Sequence, residues 1–85
     1  MKSVRYCDVS TLPVGTILLV DTEDACFKLY VGADITWIHY LEHDETESIY
    51  GRLGNRNLII GEPIGCVTET FNTAPITVIE IYSDE

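Results

Sequence analysis

His39 and His43 stand four positions apart, in a stretch that also holds Glu42 and Asp44. On a helix this spacing would set two imidazoles over one metal ion. On a strand, residues four apart are separated by ~13 Å, whereas zinc ligands each lie about 2 Å from the ion. The surrounding "ITWIHYLE" is rich in β-branched and aromatic residues, so the expectation is a half-buried His39, a solvated His43 and no metal. Ser10, Ser48 and Ser83 lack the glycine-flanked elbow that exposes a nucleophile. Nothing beside Cys7 or Cys26 would draw a thiol pKa down into the reactive range. A pair such as Glu42 and Glu47 can be named as acid and base in any chain this rich in carboxylates, so that pairing carries no information. The chain is read as a non-enzyme with no cofactor.

Two charged sets remain. Asp21, Glu23 and Asp24 mark one turn; Glu42, Asp44, Glu45 and Glu47 mark another. Fourteen Asp and Glu against five Lys and Arg give a formal charge of −9. Such a chain is repelled by nucleic-acid phosphates and anionic membranes and attracted to basic protein surfaces. The acidic turns are therefore the candidate partner-binding residues, and a solvated face is the plain alternative. The second set is Arg52, Asn55 and Arg56 in "GRLGNRN", where guanidinium groups and nearby backbone amides would suit a small anionic ligand such as a nucleotide. The loop lacks the glycine spacing and terminal Lys-Ser/Thr of a P-loop.

These residues need elements to hold them, and the elements read as strands. The chain of 85 residues makes one acidic domain, 1–85, with 46% hydrophobic residues, enough for a single core. "TILLVD", "CFKLYV", "ITWIHYLE", "IYGRL", "NLII", "CVTETF" and "ITVIEIY" are short β-rich runs separated by Gly, Pro, Asn and Asp. "CFKLYV" alternates Phe27, Leu29 and Val31 against Lys28 and Tyr30. "DTEDA" and Gly54 to Asn57 read as hairpin turns, and "HDETES" as a charged loop tip. No stretch beyond ten residues shows a helical apolar period. The expected fold is all-β, a small barrel or sandwich of six or seven mainly antiparallel strands, SH3-like or related. Trp37 is expected to be largely buried. The "ITWIHYL" and "ITVIEIY" runs are apolar on both faces, which predicts a homo-oligomer.

"LPVGT", Leu12 to Thr16, has the letters of a cell-wall sorting signal in the wrong order and far from the C-terminus. Pro13 instead disfavours helix at Leu12, and Gly15 frees the backbone before the first long strand. From Leu12 to Trp37, about a third of the chain, this lead-in resembles that of small, mostly uncharacterised β-proteins encoded by tailed phages, although "DTEDA" replaces their Asp-x-Asp-Gly turn. The resemblance implies a phage-type origin and no site residues. Cys7, Cys26 and Cys66 are odd in number and widely spaced, which favours a reducing compartment over a disulfide framework. No charged-then-apolar leader is read, and no run approaches the ~18 apolar residues that cross a bilayer. The expectation is a cytoplasmic, non-catalytic binding protein. It would inhibit a host nucleic-acid-processing or defence complex through its acidic loops, without touching nucleic acid or membrane. An oligomeric binder of a small anionic ligand and a structural β-module of a virion or other assembly are the alternatives.

Overall fold

Alternation along two central strands sets the architecture. In β3 (Ile17–Thr22) Leu18, Val20 and Thr22 are buried, and in β4 (Cys26–Val31) Phe27, Leu29 and Val31 are. The residues between them point to the other face, as a pleated strand requires. The computed structural model describes residues 2–42, 46–54, 56–65 and 73–82. The remaining strands are β1 (Lys2–Val4), β2 (Tyr6–Asp8), β5 (Thr36–Leu41), β6 (Glu47–Arg52), β7 (Asn57–Ile59) and β8 (Ile76–Tyr82), with a 3₁₀ turn at Val9–Thr11. β1-β8-β3-β4-β5-β6 form one antiparallel sheet, and β2-β7 form a separate two-stranded ribbon. The fold is all-β, as expected. Within the described residues β6 and β1 do not pair, so the large sheet is open rather than a closed barrel.

The core lies between the sheet and the ribbon. Leu18, Leu29, Ile38 and Ile79 reach it from the sheet with 0% exposure, and Cys7, Val9, Leu58 and Ile64 close it from the ribbon and its flanks. Burying side chains of this size contributes about 1.5–3 kcal/mol each before conformational entropy is charged.

The turns follow from particular residues. Thr22 Oγ1 accepts from the Asp24 and Ala25 amides at 3.4 and 3.1 Å, which closes the β3–β4 turn at Glu23-Asp24. In "LPVGT", Gly15 takes φ +96° and the Thr16 amide donates to the Pro13 carbonyl at 3.2 Å. Only glycine adopts that φ cheaply. Leu12 packs against the core, so the motif is a strand lead-in.

Between β4 and β5, the Gly32 amide donates to the Ile35 carbonyl at 3.0 Å. A Cβ on Gly32 would stand 2.5 Å from that same carbonyl oxygen, and backbone cannot swing aside as a flexible side-chain end can. Gly32→Ala is therefore expected to cost about 2 kcal/mol, within the range for overpacking. A denaturation midpoint unchanged from the parent would refute the tight approach.

Three expectations are corrected. Gly54 to Asn57 is not a hairpin, because β6 pairs with β5 while β7 pairs with β2. The segment carries the chain from the sheet to the ribbon, where the Val9 amide donates to the Arg56 carbonyl at 2.8 Å. β1 and β2 were not anticipated, since three residues are too few to show a period. Trp37 is 41% exposed, because it shares the parity of His39 and Leu41 and so faces away from the core. "CVTETF" lies outside the described residues, as do His43, Asp44, Glu45 and Asn55.

Candidate functional site

Register places the charged residues. Leu19, Lys28, His39 and Ile49 stand opposite one another across β3, β4, β5 and β6, all on the face turned from the core. One row towards the β4–β5 turn come Ile17, Tyr30, Trp37 and Arg52; one row towards the opposite end come Asp21, Cys26, Leu41 and Glu47. A bulge makes this possible on β6. Ile38 pairs with Gly51 and His39 with Ile49, so Tyr50 is the extra residue. Tyr50 turns inward and meets the Phe27 ring edge-on at 5.1 Å.

On this outer face Glu47, at the start of edge strand β6, gathers three partners. Its carboxylate accepts from the Tyr30 hydroxyl at 2.6 Å and lies 3.6 Å from Lys28 Nζ and 3.4 Å from His39 Nδ1. The Tyr30 hydrogen bond, followed by the charges of Lys28 and His39, holds the Glu47 carboxyl below its ordinary range. The Tyr30 phenol is pushed up, first by burial and then by its bond to that carboxylate. The Lys28 ammonium is raised by the Tyr30 oxygen first and by Glu47 after it. Ile17, Leu19, Leu41 and Tyr82 border the groove of about 490 Å³ in which Lys28 and Glu47 sit. Sequence reading assigned Glu47 to the acidic tip. Its negative charge is instead engaged within the sheet face.

The other tip residues remain outward. Glu23 and Asp24 are exposed in the β3–β4 turn, and Glu42 is exposed where its amide donates to the Thr46 carbonyl at 2.9 Å. Because β3–β4 and β5–β6 are successive hairpins, both turns fall at the same end of the sheet. Asp21 on β3 and Glu47 on β6 bound the four strands of these two hairpins, three strand spacings or roughly 14 Å apart. Asp21 is half-buried beside Cys26.

The arginines part company. Arg52 belongs to the outer face opposite Trp37. Arg56 lines a cleft of about 320 Å³ with Ser10, Leu12 and Asp34, and Arg52 is not among the residues lining it. Close to this cleft the Asp8 carboxyl is held low by hydrogen bonds from Ser10 first and by the charge of Arg56 last. Asp34 in the cleft and Asp8 beside it set negative charge against that of Arg56, which weakens the attraction for an anion.

The chemistry open to the site is limited. Burial, then Asp8, pushes the Cys7 thiol up; burial, then Asp21 and Glu80, pushes the Cys26 thiol up to about 12. Both are held in the unreactive protonated form at neutral pH. Among the described residues no three His, Cys, Asp or Glu side chains are grouped to hold a metal ion, and no helix is long and apolar enough to cross a membrane. Comparison with protein-family models, with curated proteins and with solved structures gives no match.

Proposed function

We propose that this chain is a non-catalytic binding protein that presents the acidic end of its large sheet to a basic protein surface. The observation that supports this reading is the register. It brings the Glu23-Asp24 turn and the Glu42 side of the β5–β6 turn to one end, on strands rigidly tied by pairing. Carboxylates gathered on turns at one end of these paired strands suit a groove built for nucleic acid, where the duplex carries one charge per ~1.7 Å. The partner class is therefore a nucleic-acid-processing or defence complex, and the outcome of binding is inhibition, in keeping with the phage-type lead-in.

Changing Glu23, Asp24, Glu42, Asp44 and Glu45 to their amides removes five negative charges while keeping side-chain size. At ~0.2–1 kcal/mol per exposed charge, affinity for a basic partner captured from a host lysate should fall about tenfold or more. Its salt dependence should flatten as well. Glu47→Gln, already engaged by Tyr30 and Lys28, and the double change Arg52→Ala with Arg56→Ala should leave that affinity nearly unchanged. Full retention of the partner by the amide variant would defeat the acidic-end reading.

A further inference from the structure

We propose that the outer face of the six-stranded sheet is a homodimer interface, in which two copies pack sheet on sheet about a twofold axis running along the strands. The apolar content of this face argues against permanent exposure: Trp37 is 41% and Ile49 70% exposed on it, and Leu19, Leu41 and Tyr82 border its groove. Five strands of about 20 Å and the three-residue β1, at ~4.8 Å spacing, cover roughly 500 Å² per copy. The pair would bury about 1,000 Å², the lower limit for a specific interface and the size of a reversible one.

Charge identifies the occupant as a second copy. On this face β3 and β8 carry Asp21 and Glu80, while β4, β5 and β6 carry Lys28, His39 and Arg52. Glu47, the remaining acid among these rows, is taken up by Lys28, Tyr30 and His39. With Glu47 set against Lys28, Arg52 leaves the β4–β6 half of these rows at +1 with His39 neutral, while Asp21 and Glu80 leave the β3–β8 half at −2, in a chain whose total charge is −9. Face-packed sheets stay within about 30° of alignment, which leaves two kinds of twofold axis. An axis across the strands sets each strand on itself, with Glu80 over Glu80 and Lys28 over Lys28. An axis along the strands, between β3 and β4, exchanges the halves. Glu80 then lies over His39, Tyr82 over Trp37, and Leu19 over the aliphatic stem of Lys28. Only the second arrangement sets the acidic half over the basic half, with Glu80 against His39, and it keeps the two acidic ends side by side, clear of the interface.

Sedimentation of the intact chain tests this. The parent should be dimeric at micromolar concentration, with Trp37 emission moving to shorter wavelength along the same concentration curve. Leu19→Asp should be monomeric with an unchanged far-ultraviolet spectrum. A parent that stays monomeric, or a folded Leu19→Asp that stays dimeric, overturns the proposal. Two surface changes decide the case if Leu19→Asp does not fold. Glu80→Lys and His39→Glu should each weaken self-association at least tenfold. An equimolar mixture of the two should recover it, since the lysine introduced on one copy then faces the glutamate introduced on the other. Failure of the mixture to associate overturns the strand-parallel arrangement. The amide variant of the acidic turns should remain dimeric, so this result and the partner-binding result can fail separately.

Discussion

Leu29→Ala is expected to remove about 3 kcal/mol of stability, near the lower end of the range for a fully buried leucine. Leu29 is 0% exposed at the centre of β4, between Leu18 of β3 and Ile38 of β5, which are equally buried. Neighbours held by strand pairing on both sides cannot collapse into the space, so the cavity term persists. A domain of this length holds roughly 4–13 kcal/mol in total, and a loss of about 3 kcal/mol should lower Tm by on the order of 15 °C. The same truncation at Leu19, on the outer face of β3, should cost about 1 kcal/mol or less when the chain is dilute enough to be monomeric. Thermal unfolding followed by circular dichroism checks both. Equal losses at the two leucines would mean that the sheet is covered on both sides in the single chain.

The contrast between Leu19 and Leu29 was legible in the sequence for β4 and only partly so for β3. "CFKLYV" interrupts its apolar residues with Lys28, and the lysine reveals the open face. "TILLVD" is apolar at every position from Ile17 to Val20, so its parity becomes readable only through the pairing of Leu18 with Leu29. Trp37 misled for a related reason. Its size argues for the core, but its parity with His39 sends it outward, and parity wins because a one-residue slip would also expose Ile38. The Gly54-to-Asn57 segment failed differently. Its residues suit a turn, yet whether the next strand folds back on β6 depends on β2, far earlier in the chain, which offers β7 a partner. Local turn chemistry holds no record of that competition.

The candidate site divides along the same line. The acidic turns were readable because clusters of Asp and Glu between β-rich runs fall in turns, and their shared end follows from two successive hairpins. The engagement of Glu47 was not readable. It depends on the bulge at Tyr50, which keeps Glu47 and Ile49 on the outer face while leaving Tyr50 to reach Phe27. A regular ladder continued from Arg52 and Gly51 would set Tyr50 opposite His39 on the outer face. Ile49 and Glu47 would then turn towards the core, and the Tyr50–Phe27 contact would be lost. The arginines follow a related rule. Arg52 ends β6 on the sheet while Arg56 lies beyond it, on the way to the ribbon, so the pairing suggested by their spacing yields to two unrelated settings.

Cys26 should react with thiol reagents at least a hundredfold more slowly in the folded chain than in the unfolded one, on the order set by its thiolate population. Its thiol is moved from 9.0 to about 12, first by burial, then by the hydrogen bond to Asp21, and then by the charges of Asp21 and Glu80. A rise of that size reduces the thiolate, the reacting species, about a thousandfold near neutral pH. Site-resolved mass spectrometry after timed alkylation at about pH 8, just below the ordinary thiol range, separates Cys26 from Cys7 and Cys66 without altering any of them. Asp21→Asn should speed the reaction, yet leave it well below the unfolded rate, because burial is the larger cause. The same shift sets a pH dependence. A raised folded pKa stabilises the fold fully below about pH 9, and that contribution is lost as pH climbs towards about 12. Cys26→Ala should therefore lose stability less steeply than the parent between those limits. Native labelling as fast as unfolded labelling would show that the thiol is neither buried nor facing Asp21. Cys26 also lies on the face assigned to self-association, opposite Asp21 of the second copy, so its labelling rate should fall further as protein concentration rises through the dimer transition.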